Sequence, residues 1–434
     1  MTGLRYGLND NVRGKTLWFY GVQHLVFFVA GTTIMPIAVG ARLGMSQTEI
    51  AAMLQRSFLL FGVTTFLQVK FGHKYPIMDG PAGLWTSMML IMAAATAGAG
   101  KPLADLRAEL EPAIMVAGAV IALVALLGLL KWVIKLFTPI VNGVIITTMV
   151  LQMSITLVGG VVGISGEDRV VDGKSLAVSF ITAAVILFVT MYMKGFLQSI
   201  ATLMGVTVGW LCAAAAGLWV TSAAGGGLFS LPEALAWGRP ALNLGIMASC
   251  VIGELLLMSM TFASVSSMGS ALGEKVDERV MGRSLLLQGF ATILSGIFPA
   301  VPPMPYISST GVVLMTGVAS KKPFILACVM IIVFGLISPV SLFLASMPAL
   351  VAYSTTIVIF ALIFGQGLRE FKKCAMDNRE SYIIGISMIL GIGTMFLPSG
   401  AFSILPQSLE LILSNGLVVG TVSAMLLERL LRAR

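Results

Sequence analysis

Charge is what this sequence has least of. Lys, Arg, Asp and Glu make up 11% of its 434 residues, against about 25% in soluble domains, and no catalytic-sized polar insert interrupts the apolar runs. A soluble enzyme or binding module is thereby excluded. Histidine is scarcer still: His24 and His73 lie 49 positions apart, which leaves no metal-ligand cluster to read. The four cysteines, Cys212, Cys250, Cys328 and Cys374, sit in or beside apolar segments without CxxC spacing, so neither a disulfide framework nor a metal site is indicated. No nucleophile–base pair stands out, and neither an enzyme nor a cofactor is expected. Met1 to Thr16 is polar and basic and lacks the apolar core of a cleavable signal peptide.

What the chain has is hydrophobicity. Apolar residues make up 57% of it and its mean hydropathy is +0.97, so it reads as an all-α polytopic membrane protein. A helical crossing needs about 20 apolar residues. Fourteen stretches qualify, at 17–40, 50–71, 76–98, 111–130, 136–162, 175–193, 196–222, 242–270, 283–301, 304–319, 323–344, 347–368, 381–398 and 408–428. An even number puts both termini on one side. With the termini inside, 20 of the 27 Lys and Arg fall on the inner face, among them Arg5, Arg13, Lys131, Lys321, Lys322, Arg432 and Arg434. Arg42, Lys101, Arg107, Arg169, Lys174 and Arg239 fall outside, and Arg56 lies within the second span. This is the positive-inside pattern, and it accounts for the net charge of +8 without a nucleic-acid partner. A multi-pass protein of the inner (plasma) membrane with cytoplasmic termini is expected, with the lipid bilayer as its surroundings.

The halves echo each other. Span five opens Thr138-Pro139-Ile140-Val141 and reaches Thr147-Thr148; span twelve opens Met347-Pro348-Ala349-Leu350-Val351 and reaches Thr355-Thr356, about 209 residues on. Two repeats are therefore expected, 1–222 and 223–434, and an odd number of crossings in each makes the second inverted. The third and tenth spans are both interrupted, by Pro76, Gly80, Pro81 and Gly83 in one and by Pro302, Pro303, Pro305 and Gly311 in the other. Proline removes a donor and glycine frees φ, so a continuous helix is not expected through either. Broken backbone at membrane depth belongs where it lines a cavity, and paired breaks point to a transporter binding site.

Glu254 is the only carboxylate between Leu242 and Leu272. A charge at the bilayer centre costs roughly 2.5–3.5 kcal/mol on insertion scales, and such a group is kept when it handles protons, ions or substrate. A protonated carboxyl donates one hydrogen bond and accepts another, matching an N–H/C=O edge of a purine or pyrimidine. His24 lies at mid-membrane, either as a core imidazole bonded to backbone or as a group positioning the Glu254 region. His73 reads as a solvated residue of a basic inner loop. Asp79 suits two roles, lining the cavity or capping the half-helix after Gly80, with capping favoured. Ser308, Ser309 and Thr310 suit both substrate contact and capping of the second half of span ten. Gln288 and Gln152 suit interhelical hydrogen bonding, and the 27 methionines suit adaptable packing.

Four stretches resemble the nucleobase–cation symporter-2 family, also called nucleobase–ascorbate transporters, which includes the uracil and xanthine permeases. They are Gln23-His24 with Thr32 to Gly40, Gly253-Glu254 with Ala263 to Ser266, Gln288 to Phe298, and Gly311 to Lys321. The resemblance implies a seven-plus-seven inverted repeat, with a core from spans 1–4 and 8–11 and a gate from spans 5–7 and 12–14. It further implies short antiparallel strands in the broken third and tenth segments, substrate held between them beside the eighth span, proton or sodium symport, and homodimers. Glu254 then stands at the substrate carboxylate and His24 at the first-span histidine. Ser308-Ser309, Met258, Gln288 and Gly83 depart from the family's usual residues, which leaves the particular base open.

The expectation is a secondary active importer of a nucleobase, whether uracil, xanthine, urate or a related purine, working by alternating access with H⁺ rather than Na⁺ as coupling ion. Substrate would meet Glu254, His24, Gly80, Gly83, Ser308, Ser309, Thr310 and Gly311. Glu254 and His24 would couple the proton, and Asp79 and Gln288 would stand behind them as supports. The rival expectation is an anion transporter or facilitator on the same scaffold.

Overall fold

A computed structural model describes residues 4–129, 135–163, 171–194, 196–219, 227–397, 401–402, 404, 413 and 415–431. Lys131, Arg169, Arg432 and Arg434 of the charge count lie outside the described residues, as do several residues at the start of the fourteenth expected span. The chain is mostly helical. Its first half holds α1 (Gly14–Arg42), α2 (Gln47–Lys70), α3 (Gly83–Gly98), α4 (Leu103–Leu126), α5 (Pro139–Val161), α6 (Gly173–Tyr192) and α7 (Ala201–Ala215). The second half holds α8 (Leu244–Leu272), α9 (Glu278–Ile297), α10 (Ser308–Thr316), α11 (Lys321–Leu336), α12 (Ser338–Ala345), α13 (Ala349–Phe371), α14 (Asn378–Met395) and α15 (Gly416–Leu430). Among the described residues, eight of these helices are long and apolar enough to cross a membrane. That makes a multi-pass membrane protein.

Local chemistry sets many of the helix starts. Ser46 and Glu49 form a reciprocal capping box at α2. Thr138, Asn243, Asp277, Ser320, Asp377 and Asn415 each accept from first-turn amides of the helix they precede, satisfying donors that have no intrahelical partner. One break was not expected. The eleventh span divides into α11 and α12 because Pro339 sits in the first turn of α12, where a proline is tolerated but cannot continue the preceding helix.

The third and tenth spans start as strands. β1 (Asp79–Pro81) pairs antiparallel with β2 (Pro303–Pro305), with Asp79 opposite Pro305, Gly80 opposite Met304 and Pro81 opposite Pro303. The prolines explain why the ladder stops at three residues: neither has an N–H to extend it. Flanking bonds close both ends, from Ala82 N–H to the Pro302 carbonyl at 2.9 Å and from Tyr306 N–H to the Met78 carbonyl at 2.8 Å.

Packing joins the halves. α4 lies along α9 and α2 along α11; α8 packs on α4 and α1 on α11. Elsewhere α5 lies along α13, α6 along α7, and α14 along α15. At the α4–α9 crossing the backbones touch, since a Cβ on Gly118 would lie 2.6 Å from the Gly289 carbonyl oxygen, and the reverse holds for Gly289. Small residues allow such close approach in membranes. One end of the molecule gathers the N-terminal segment, where Ala319 N–H donates to the Tyr6 carbonyl and Ser320 Oγ to the Asp10 carbonyl. The other end carries the Arg107–Glu49 ion pair at 2.8 Å and the bond from Trp237 N–H to Glu111.

Candidate substrate site

The α3 and α10 half-helices begin without a side-chain cap. Ala82 and Ile307 occupy the capping positions, and neither offers an acceptor. The amides of Gly83, Leu84 and Trp85 donate to no described residue. A helix start of this kind is partly positive and rich in free donors. The sequence expectation that Asp79 caps the first half-helix is corrected: Gly80, Pro81 and Ala82 separate it from the start of α3, and Ala82 holds the capping position. Capping by Ser308 to Thr310 is corrected too, because Ser308 is already the first helical residue. Ser309 Oγ accepts instead from Met78 N–H at 3.0 Å, tying the two breaks together.

Glu254, midway along α8, is buried where α3, α8 and α9 meet. Its Oε2 accepts from Trp85 Nε1–H at 2.5 Å and its Oε1 from Thr292 Oγ1–H at 2.8 Å. Gln288, one turn before Thr292 on α9, faces the same carboxyl, and its Nε2–H donates to the Pro303 carbonyl of β2. Close approach of α3 depends on Gly253, where any Cβ would run into Met88. An ionised carboxylate has about four lone-pair sites. With two donors seated, acceptor positions remain for a planar N–H edge.

The other expected residues scatter around this centre. Gly80 lies beneath the Tyr306 ring, which its Cβ would approach to 2.7 Å, and Tyr306 OH donates to the Pro81 carbonyl at 2.8 Å. Gly83 faces Ile363 of α13, with open room for little more than a methyl. Gly311 borders open space, Ser308 is exposed, and Thr310 is buried with its hydroxyl unpartnered. His24 packs edge-on against Phe324 of α11, with ring centroids 5.1 Å apart, and among the described residues no hydrogen bond links it to Glu254. His73 is not solvated as expected but 1% exposed; its Nδ1 accepts from Tyr75 N–H at 3.0 Å. Burial, reinforced by Lys321, pushes its pKa down to about 3, so this imidazole is neutral. Its apolar ring stacks on Tyr75, which explains why a residue beside Lys74 is nevertheless inside.

Trp85, Thr292 and Tyr306 were not anticipated as site residues. Thr292 was within reach, since its spacing from Gln288 puts both on one face of α9. A separate cavity of 310 Å³ is lined by residues such as Val29, Ile34, Val206, Trp210, Trp219 and Phe343. Its walls are apolar and include no partner of Glu254.

Taken with the eight apolar helices, a buried acid held by the broken third span and by α9, whose Gln288 reaches the second break at β2, defines a polytopic membrane protein with a carrier-like site. Residues 15–400 match the Permease family of xanthine and uracil permeases, and the chain belongs to that family, the nucleobase–ascorbate transporters. It is 29% identical over 412 residues to YwdJ of Bacillus subtilis (strain 168), whose name proposes a purine permease, covering 93% of each chain. It is 26% identical over 416 residues to the uric acid transporter UacT of Escherichia coli (strain K12), covering 94% of this chain and 84% of that one. In fold it is similar to the transmembrane domain of a cyanobacterium bicarbonate transporter, BicA, with TM-score 0.66, 16% identity and coverage of 92% and 96%.

Proposed function

We propose that this permease imports a purine or related nucleobase by alternating access with proton symport, and that Glu254 receives the base. The observation that carries this is the Glu254 junction: a buried carboxyl with one donor on each oxygen, beside the uncapped start of the α3 half-helix. A base would offer N–H groups to the remaining lone pairs while its carbonyls took the free amides at the start of α3. Of the expected contacts, Gly80, Gly83, Ser308, Ser309, Thr310 and Gly311 line the two breaks, and His24 stands on the neighbouring α1. Relatives named for uric acid and xanthine support the purine class.

Two inverted seven-span repeats, forming a core and a gate, belong to the same proposal. The pairing of helices supports it: exchanging each first-half helix for its second-half counterpart turns α4–α9 into α11–α2, α8–α4 into α1–α11, and α6–α7 into α14–α15. Cytoplasmic termini in an inner (plasma) membrane fit the gathering of Lys321, Lys322 and the N-terminal segment at one end. Homodimer formation follows the family resemblance.

The test is uptake of labelled uric acid, xanthine and uracil by cells lacking their own permeases. Glu254→Gln is expected to abolish uptake while leaving membrane abundance intact; full pH-dependent uptake by this variant would remove Glu254 from the mechanism. A second reading, anion transport, has one observation in its favour: the fold neighbours are titled bicarbonate and anion transporters. On that reading Glu254→Gln would preserve or strengthen bicarbonate binding.

A further inference from the structure

Three acids are fully buried among the described residues: Asp79, Glu111 and Glu254. Glu254 has two donors and Glu111 has the Trp237 amide at 2.8 Å. Asp79 has none; neither of its carboxyl oxygens accepts a hydrogen bond from any described residue. It lies on β1 against α2, where its own N–H donates to Thr65 Oγ1 at 2.9 Å and the Thr64 hydroxyl faces its carboxyl.

Among the described residues no cation compensates it. On α2, Arg56 donates to the Pro299 carbonyl at 2.8 Å, and Lys70 lies over the rings of Phe66 and Phe71. His24 of α1 is against Phe324, His73 is held by Tyr75, and β2 carries no titratable group. Cys328 of α11 is a neighbouring titratable group, and Met78 beside Asp79 belongs to an apolar cluster with Phe28, Phe58 and Phe324.

A bare carboxylate in such surroundings is among the costliest arrangements a protein can hold. A carboxylic acid needs only one acceptor, and the Thr64 hydroxyl, which faces Asp79 without a hydrogen bond to it, can become one: its O–H points to the Phe61 carbonyl at 3.5 Å, leaving its lone pairs free. The observed conformation therefore suits the protonated acid. Releasing that proton requires water to reach Asp79, which requires β1 to part from α2. β1 leads directly into α3, whose Trp85 holds Glu254 six residues along. By contrast, both Glu254 oxygens already have donors, and His24 is turned to Phe324.

We propose that Asp79, rather than Glu254 or His24, binds the coupling proton, exchanging it when β1 separates from Thr64 of α2; this rests on the proton-coupled uptake proposed above. One proton enters from the outer solution with the base and leaves to the inner solution, and the carboxyl O–H is the only covalent bond made and broken.

The test uses the full-length protein in proteoliposomes with an inside-alkaline pH gradient, and uric acid and xanthine as probes. Wild type is expected to accumulate a probe above the bath concentration. Asp79→Asn is expected to exchange labelled for unlabelled probe while its accumulation ratio falls to about 1. Thr64→Val, which keeps the acid but removes its acceptor, is expected to accumulate with a pH midpoint lower by about 0.5–1 unit, the worth of one hydrogen bond. Accumulation by Asp79→Asn at the wild-type ratio overturns the assignment. Should that variant fail to fold, an unmoved midpoint in Thr64→Val overturns it instead. Wild type driven by a Na⁺ gradient, or by neither gradient, refutes proton coupling itself and this site with it.

Discussion

Trp85 decides how Glu254 is presented. Its indole N–H fixes one carboxyl oxygen while Thr292 fixes the other, so the plane of the carboxyl is set by α3 and α9 together. Trp85→Phe keeps a buried ring and removes the donor. A hydrogen bond to a charged group is worth about 1.5–3 kcal/mol, so uptake is expected to fall roughly tenfold to a hundredfold while the protein still elutes as a folded species in gel filtration. Unchanged uptake would make the indole a packing group. At this scale the sequence was uneven. Glu254 stood out because an isolated acid in an apolar run needs polar partners, here Trp85 and Thr292, and Gln288 because an amide in an apolar span suits hydrogen bonding between elements, here to β2. Trp85 was not, since its partner is 169 residues away and a tryptophan in an apolar segment looks like core. His73 misled for the opposite reason: its charged neighbours suggest solvent, but only its packing against Tyr75 decides where the ring goes.

The strand pair is the element on which the two halves meet, and it is short by chemistry. Proline at both ends of β2 and at the end of β1 limits the ladder, so side-chain contacts have to hold the register: Ser264 Oγ donates to the Pro305 carbonyl at 2.7 Å, and Tyr306 covers Gly80. Gly80→Val would drive a methyl into that ring and displace its hydroxyl from Pro81. Overpacking of this kind costs about 1–3 kcal/mol, and a lowered melting temperature of the purified protein, with Gly80→Ala less affected, is the expected outcome. Proline and glycine made both breaks legible in the sequence; the strands themselves came only with the family resemblance, because three residues carry no periodicity. The α11–α12 break was missed since hydropathy runs straight through Pro339, and a single proline permits either a kink or a new helix.

Across the whole molecule, the proposed alternating access needs one group of helices to move past the other, and on the proposed division into core and gate Gly83 marks a place where they would touch. It opens α3, three residues after β1's centre, yet a Cβ there would lie 3.3 Å from Ile363 Cδ1 and 3.8 Å from Phe360 Cζ, both on α13. The absence of a side chain at this point leaves α3 a smooth surface against α13. Gly83→Leu would interlock the two. If the position serves movement, uptake falls at least tenfold while uric acid or xanthine still shifts the melting temperature of the purified protein as it does for wild type, because a ligand that binds the folded form stabilises it by RT ln(1 + [L]/Kd). If the position serves contact with the base, the ligand-induced shift disappears together with uptake. The two measurements on one variant therefore separate a sliding surface from a wall of the substrate site, a distinction that the glycine's place in the sequence, next to a break and without a side chain to interpret, leaves open.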